Sequence, residues 1–207
     1  RMLNIALVDV GAGTSDLAIS AEGTIKGYGM VSYAGDAITA GIADTFLLDL
    51  TVAEKVKVEL QPGQTATCQD VFGNTLNLSY EQILEAIAPR VQTLAEKIAQ
   101  EIIRLNGVAP KGVILVGGGS LTPELAPLLA KHLDLPQHLV RMRDRTSLEI
   151  VKGVPEFSGP EVITPIGIGC THLDGRAMQL IHVTVNGKQL QFLQMASSQV
   201  GDALLHA

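Results

Sequence analysis

With 207 residues, 46% of them hydrophobic and 17% charged, the chain is too apolar for a disordered protein and can bury a sizeable core. Aromatic residues make up 3% and tryptophan is absent, so that core is aliphatic and little remains to stack on single-stranded bases. The net charge of −6 lacks the basic footprint of a nucleic-acid binder, so no nucleic-acid partner is expected.

Residues 5–8, Ile-Ala-Leu-Val, are apolar without alternation, as in a strand buried on both faces. A tight turn, Asp9-Val10-Gly11-Ala12-Gly13-Thr14-Ser15-Asp16, leads to a returning strand at 17–20. A second turn, Ala21-Glu22-Gly23, leads to a third strand, Thr24–Val31, so the opening reads as an antiparallel meander. Gly35-Asp36 opens a helix with Ile38, Ile42, Ala43 and Phe46 on one face, and a second helix over 52–60 stops before Pro62-Gly63. Residues 66–71 and 75–78 flank Gly73-Asn74 as a short hairpin in a small inserted subdomain.

The longest helix follows. Ser79 and Gln82 fit a capping box, and Ile83, Ile87, Val91, Leu94, Ile98 and Ile102 form one apolar stripe. Pro89 is expected to kink it, and Asn106-Gly107 to cap its end. Val113–Val116 is a buried strand, expected parallel to the first, with helices over both faces of the sheet. Thr122 and Pro123 read as the N-cap and first residue of a helix ending near residue 133. A short strand at 139–141 and a helix at 163–171 follow. The tail reads as an Asn186-Gly187 hairpin of residues 181–185 and Lys188–Gln194, then a helix at 199–205 capped by Ser197 or Ser198.

No apolar run reaches the ~18 residues of a membrane-spanning helix. Residues 4–10 run straight into an Asp- and Gly-rich turn, unlike a signal peptide. Cys68 and Cys170 offer neither metal spacing nor a disulfide framework and fit a reducing cytoplasm. The opening Arg1-Met2 and the closing helix-like stretch read as a piece cut at both ends.

Three constellations are candidates for chemistry. Gly11 and Gly13 in the first turn permit close backbone approaches, and their N–H groups can converge on an anion. Asp9 and Asp16 flank that turn and would repel a phosphate unless a cation such as Mg2+, held through its own waters, lay between. The same eight residues also suit an ordinary tight hairpin with solvated acids. Gly117-Gly118-Gly119 gives no side-chain packing; it fits a flat ring lying on the backbone, or a flexible strand-to-helix connection. Glu54 and Lys57, at i and i+3 of a helix, can hold a ribose or form an exposed ion pair. Gly35 and Asp36 can offer N–H groups to phosphate or serve as an N-cap. The five histidines form no ligand pattern.

In this order the motifs resemble the second half of the actin-like ATPase superfamily, and within it the FtsA family, with the PilM and EutJ families as relatives. Ser32-Tyr33-Ala34-Gly35-Asp36-Ala37-Ile38-Thr39, Ala53-Glu54-Lys55-Val56-Lys57, Ile87-Ala88-Pro89-Arg90-Val91 and the Val113-to-Gly119 segment carry the likeness, over about residues 4–172. It implies a ribonuclease-H-like α/β fold with a mixed sheet. Residues 1–173 would be a nucleotide-binding half with an inserted subdomain at roughly 50–105. It implies ATP and Mg2+ as ligands. Gly11, Ala12, Gly13 and Thr14 would contact phosphates, and Asp9 and Asp16 would organise Mg2+ and the attacking water. Gly35 and Asp36 would close over the phosphates, Glu54 and Lys57 would hold the ribose, and Gly117, Gly118 and Gly119 would face the adenine.

The implied role is a cytoskeletal or scaffold ATPase of bacterial division, cytoplasmic or at the inner face of the membrane. Its partners would be a tubulin-like division protein or further copies of itself. A non-catalytic protein-binding platform of the pilus-assembly or microcompartment type is the rival, and a sugar kinase or reactivating chaperone a third reading. Ala12 stands where the superfamily more often has glycine, and the first half of its fold is missing. Residues 174–207 resemble the opening of a β-grasp module, or form a plain terminal hairpin.

Overall fold

The computed structural model describes residues 3–21, 24–59, 61–148, 158–173, 179–185 and 188–194. It divides into two compact units, Arg1–Thr164 and Pro165–Ala207. The expected Asn186-Gly187 turn, the helix at 199–205 with its serine cap, and most of the turn at 21–23 lie outside the described residues.

The first unit is built on a five-stranded sheet of β1 (Ile5–Val10), β2 (Ser15–Ala21), β3 (Thr24–Val31), β6 (Val113–Val116) and β7 (Val140–Met142), in the order β3-β2-β1-β6-β7. The meander β1-β2-β3 is antiparallel, and β6 runs parallel to both β1 and β7. β1 is therefore central, yet its burial alternates. Ala6, Val8 and Val10 are buried while Leu7 is 42% exposed. This corrects the expectation of a strand buried on both faces. A run of apolar residues marks apolar character, whereas the pleat sends neighbouring side chains to opposite sides.

The buried face packs on helices. α3 (Tyr80–Asn106) lies against β2 and β3, and α1 (Gly35–Phe46) and α4 (Leu125–His132) pack on α3. Gly29 of β3 is needed for this approach, since a Cβ there would sit 2.8 Å from Leu105 Cδ1. All six residues of the α3 stripe are buried, each contributing about 1.5–3 kcal/mol of hydrophobic stabilisation.

The ends of α3 are set by the sequence. Ser79 and Gln82 form a reciprocal capping box, and Gly107 closes the C-terminus in the left-handed region at φ 83°. Across Pro89 the helix continues, with the Thr93 hydroxyl donating to the Pro89 carbonyl at 3.0 Å. α2 (Leu50–Glu59) and the hairpin β4 (Thr65–Gln69) and β5 (Thr75–Ser79) stand apart from the main sheet, β4 and β5 pairing only with each other.

The expected helix start at Thr122 and Pro123 is corrected. After β6 the chain makes a 3-10 turn, Gly118–Leu121, in which the Ser120 hydroxyl donates to Gly117 O at 2.6 Å. Thr122 N–H then bonds Gly119 O at 3.1 Å, and Glu124 adopts φ 64°, so α4 begins at Leu125. Thr122 closes the tight turn instead of capping the helix.

The second unit contains most of α5 (Ile163–Leu173) and an antiparallel hairpin of β8 (Gln179–Val185) and β9 (Lys188–Gln194). Among the described residues no helix is long and apolar enough to cross a membrane.

Candidate functional site

β1 and β2 are joined by residues 11–14, a turn closed by Gly11 N–H donating to Thr14 O at 2.9 Å. Asp9 and Asp16 are register partners, so their carboxylates stand opposite one another on the less covered sheet face. Like charges placed so repel. Each is tied by a hydroxyl: Thr164 Oγ1 donates to Asp9 Oδ2 at 2.6 Å, and Thr14 Oγ1 to Asp16 Oδ2 at 3.2 Å.

The N-terminus of α1 is docked onto this turn. Gly35 N–H donates to Gly11 O at 3.1 Å and Asp36 N–H to Ala12 O at 2.8 Å. These are two of the donors that a helix start leaves without intrahelical partners. They hold the hairpin, which corrects the expectation that they offer themselves to phosphate. A Cβ on Gly35 would come within 3.2 Å of Gly11 O, so the absence of a side chain permits the docking.

α2 faces α1 with Glu54 and Lys57. Lys57 Nζ donates to Glu54 Oε2 at 2.6 Å, to Thr39 Oγ1 at 2.7 Å and to Gly35 O at 3.3 Å. The buried Thr39 hydroxyl is also in contact with Glu54 Oε2 and with Gly35 O. Desolvation pushes the Glu54 carboxyl upward, but the bonds from Lys57 and Thr39 and the charge of Lys57 outweigh it, and its pKa lies below the ordinary glutamate value.

The glycines after β6 have separate reasons. Gly117 has φ 80°, and a Cβ on it would meet Asp9 Oδ1 and stand 2.5 Å from Val10 O. A Cβ on Gly119 would lie 2.6 Å from Val10 Cγ1 and 2.9 Å from Gly11 O. Two of the three are thus required by the close approach of β6's exit to β1's, and neither a flat ring nor a flexible connection is needed to explain them. Gly118 has only Glu161 Cβ near, at 4.0 Å. Gly11 and Gly13, by contrast, are not in the left-handed region.

These segments enclose a cavity of ≈ 650 Å³, within the range of small-molecule sites. Gly11, Ala12, Gly35, Glu54, Lys57, Gly118 and Gly119 line it. Asp9, Gly13, Thr14, Asp16, Asp36 and Gly117 are not among its lining residues. Sequence reasoning missed Glu161, which lines the cavity, and Thr164, which holds Asp9. It gave Thr39, named only within the likeness segment, no role, and Ile83 and Ile87, core members of the α3 stripe as expected, also border the cavity. An apolar stripe gives no sign of which members border a hollow. A larger hollow, ≈ 820 Å³, lies between α2 and β4, is more open to solvent, and is lined by none of the sequence-predicted residues. Among the described residues no group of three or more His, Cys, Asp or Glu is placed to hold a metal ion directly.

The fold is that of the actin-like ATPases, a ribonuclease-H-like α/β arrangement. MreB5 of Spiroplasma citri, solved bound to ADP, superposes with a TM-score of 0.59 at 16% identity, covering 84% of this chain and 55% of that one. The PilM-PilN type IV pilus biogenesis complex gives 0.56 at 24% identity, covering 84% and 46%. The family model for the cell division protein FtsA matches residues 6–167, and the chain belongs to the FtsA family. FtsA of Pseudomonas aeruginosa is 28% identical over 150 residues, 67% of this chain and 36% of that protein. The chain thus spans about a third of the length of the curated relatives it matches.

Proposed function

We propose that this chain is the nucleotide-binding part of an FtsA-like actin-family protein and takes ATP with Mg2+ in the ≈ 650 Å³ cavity, as part of a scaffold ATPase of bacterial division. The observation that carries this reading is convergence. Four segments far apart in the chain (the β1–β2 turn, the start of α1, the Glu54–Lys57 face of α2 and the turn after β6) border one hollow of nucleotide size. The ADP held by the similarly folded Spiroplasma citri protein supports it.

In this reading the N–H groups of Ala12, Gly13 and Thr14 bind phosphate oxygens, since Gly11's is engaged within the turn. The Glu54–Lys57 pair presents its carboxylate to the sugar, and Gly118 gives the base a wall free of side chain. Asp9 and Asp16 are hard oxygen donors, fixed by Thr164 and Thr14, and suit a hydrated Mg2+. When bound, that ion supplies charge neutralisation at the phosphates. The two carboxylates also orient a water toward the terminal phosphate. Residues 1–173 act as the nucleotide half, with 174–207 as an interaction appendage. The protein works in the cytoplasm at the membrane's inner face, with a tubulin-like division protein or further copies as partners.

A non-catalytic platform is the second reading. It is favoured by the engagement of the Gly35 and Asp36 N–H groups with the hairpin rather than with an anion.

Titration of the chain with MgATP tests the proposal. Among the described residues the phosphate donors come from one side of the cavity, so Kd is expected at ~0.1–1 mM, with negligible phosphate release. Asp9→Ala should weaken binding in Mg2+ but not in its absence. No binding at millimolar MgATP would leave the platform reading standing. Robust hydrolysis by the chain would show that the reacting groups lie elsewhere.

A further inference from the structure

The Glu54, Lys57 and Thr39 cluster has a proton count that assigns each member a different task. An ammonium carries three donors, and Lys57 directs one to each of Glu54 Oε2, Thr39 Oγ1 and Gly35 O. None remains for an incoming hydroxyl while these bonds stand. Thr39 has a single hydroxyl proton and two acceptors within reach, Glu54 Oε2 and Gly35 O. The ionised carboxylate is the stronger acceptor, so the proton goes to Glu54. Both bonds to Glu54 therefore fall on Oε2 and none of them on Oε1. Burial grades the same way: Thr39 is 5% exposed, the Lys57 side chain 21% and the Glu54 side chain 48%.

We propose that Thr39 is a positioning residue for sugar recognition. Its hydroxyl pins one oxygen of Glu54, so that the other accepts a hydrogen bond from a ribose hydroxyl, while Lys57 serves as a fixed counter-ion rather than a sugar ligand. This rests on the nucleotide reading above. Lys57 also donates to the Gly35 carbonyl, and the Gly35 N–H holds the Gly11 carbonyl, so the sugar-reading carboxylate is braced against the same helix turn that braces the hairpin.

The test is a ligand-observed NMR titration of the 207-residue chain with MgATP and with its 2′-deoxy and 3′-deoxy analogues, for wild type, Thr39→Val and Thr39→Ser. A hydrogen bond to a charged acceptor is worth about tenfold or more in affinity. Wild type should therefore prefer ATP about tenfold over the analogue that lacks the hydroxyl read by Glu54. Thr39→Val should reduce that preference to less than about threefold and leave affinity for the deoxy analogue nearly unchanged. Thr39→Ser should retain the preference and so separate the hydroxyl from packing. A Thr39→Val chain that keeps the full preference, or that loses ATP and the analogue equally, overturns the proposal. Wild type that binds ATP without sugar discrimination also overturns it and leaves the nucleotide reading intact. Wild type that binds neither ligand overturns both.

Discussion

Replacing Gly117 by alanine should destabilise the first unit severely, and the size of the effect follows from two contributions. Gly117 has φ 80°, and a residue with a Cβ pays about 1–2 kcal/mol in the left-handed region. The added Cβ would also meet Asp9 Oδ1 and stand 2.5 Å from Val10 O, a backbone atom of the central strand that cannot swing aside. Relief by shifting the end of β1 costs about 1–3 kcal/mol, as for other overpacked sites. Together these amount to about 2–5 kcal/mol, a large part of the roughly 5–15 kcal/mol that holds a domain folded. In a chain of this size each kcal/mol moves the thermal midpoint by roughly 2–4 °C, so a fall of about 10 °C is expected. Gly118→Ala is the internal control. Its φ is not left-handed and its new Cβ would have only Glu161 Cβ near, at 4.0 Å, so its midpoint should stay close to wild type. Thermal denaturation followed by circular dichroism measures both. A Gly117→Ala midpoint within about 2 °C of wild type, or equal falls for the two variants, would refute the reasoning.

Ser79→Ala removes one half of the capping box on α3 and should cost about 1 kcal/mol, read as a lower midpoint that Ser79→Asp largely restores. Glu54 has its carboxyl depressed in the folded state, with desolvation outweighed by the bonds from Lys57 and Thr39. Its stabilising contribution is therefore present above the unfolded glutamate value, about 4.3, and is lost as pH falls through the lower folded value. Wild type should lose more of its thermal midpoint than Glu54→Gln between pH 6 and pH 3. Equal losses would mean that the cluster is not coupled to folding.

The elements whose signals are local were legible in the chain. Ser79 with Gln82 marks the start of α3, Asn106-Gly107 its end, and Val113–Val116 its strand without a residue of error. The failures share a cause: the deciding neighbour is distant. Leu7 is apolar like its neighbours, and only the assembled sheet shows which face of β1 is covered. Thr122 and Pro123 form a sound helix signal until Ser120 folds back on Gly117. Of the site, the glycine turns and the Glu54–Lys57 pair were readable because their spacing is short. The engagement of the Gly35 and Asp36 donors was not, because the acceptors lie more than twenty residues earlier. Thr164 is 155 positions from the carboxylate that it holds, and nothing in the sequence between them announces the bond.

The junction of β1 and β6 also bears on how the protein reaches its native state. Asp9 and Val116 are partners in the parallel register although 107 positions separate them. Closing a flexible loop of that length costs about 4 kcal/mol from the logarithmic length dependence alone. No attraction between the two turns compensates until β6 has found its place. The hollow therefore has no local precursor: a peptide spanning the β1–β2 turn holds one rim, and a peptide spanning the three glycines holds another. Contacts of such high sequence separation slow folding. A nascent chain on the ribosome has no complete cavity until synthesis has passed β6, so anything that binds there would act on the finished fold and not as a template for its early steps.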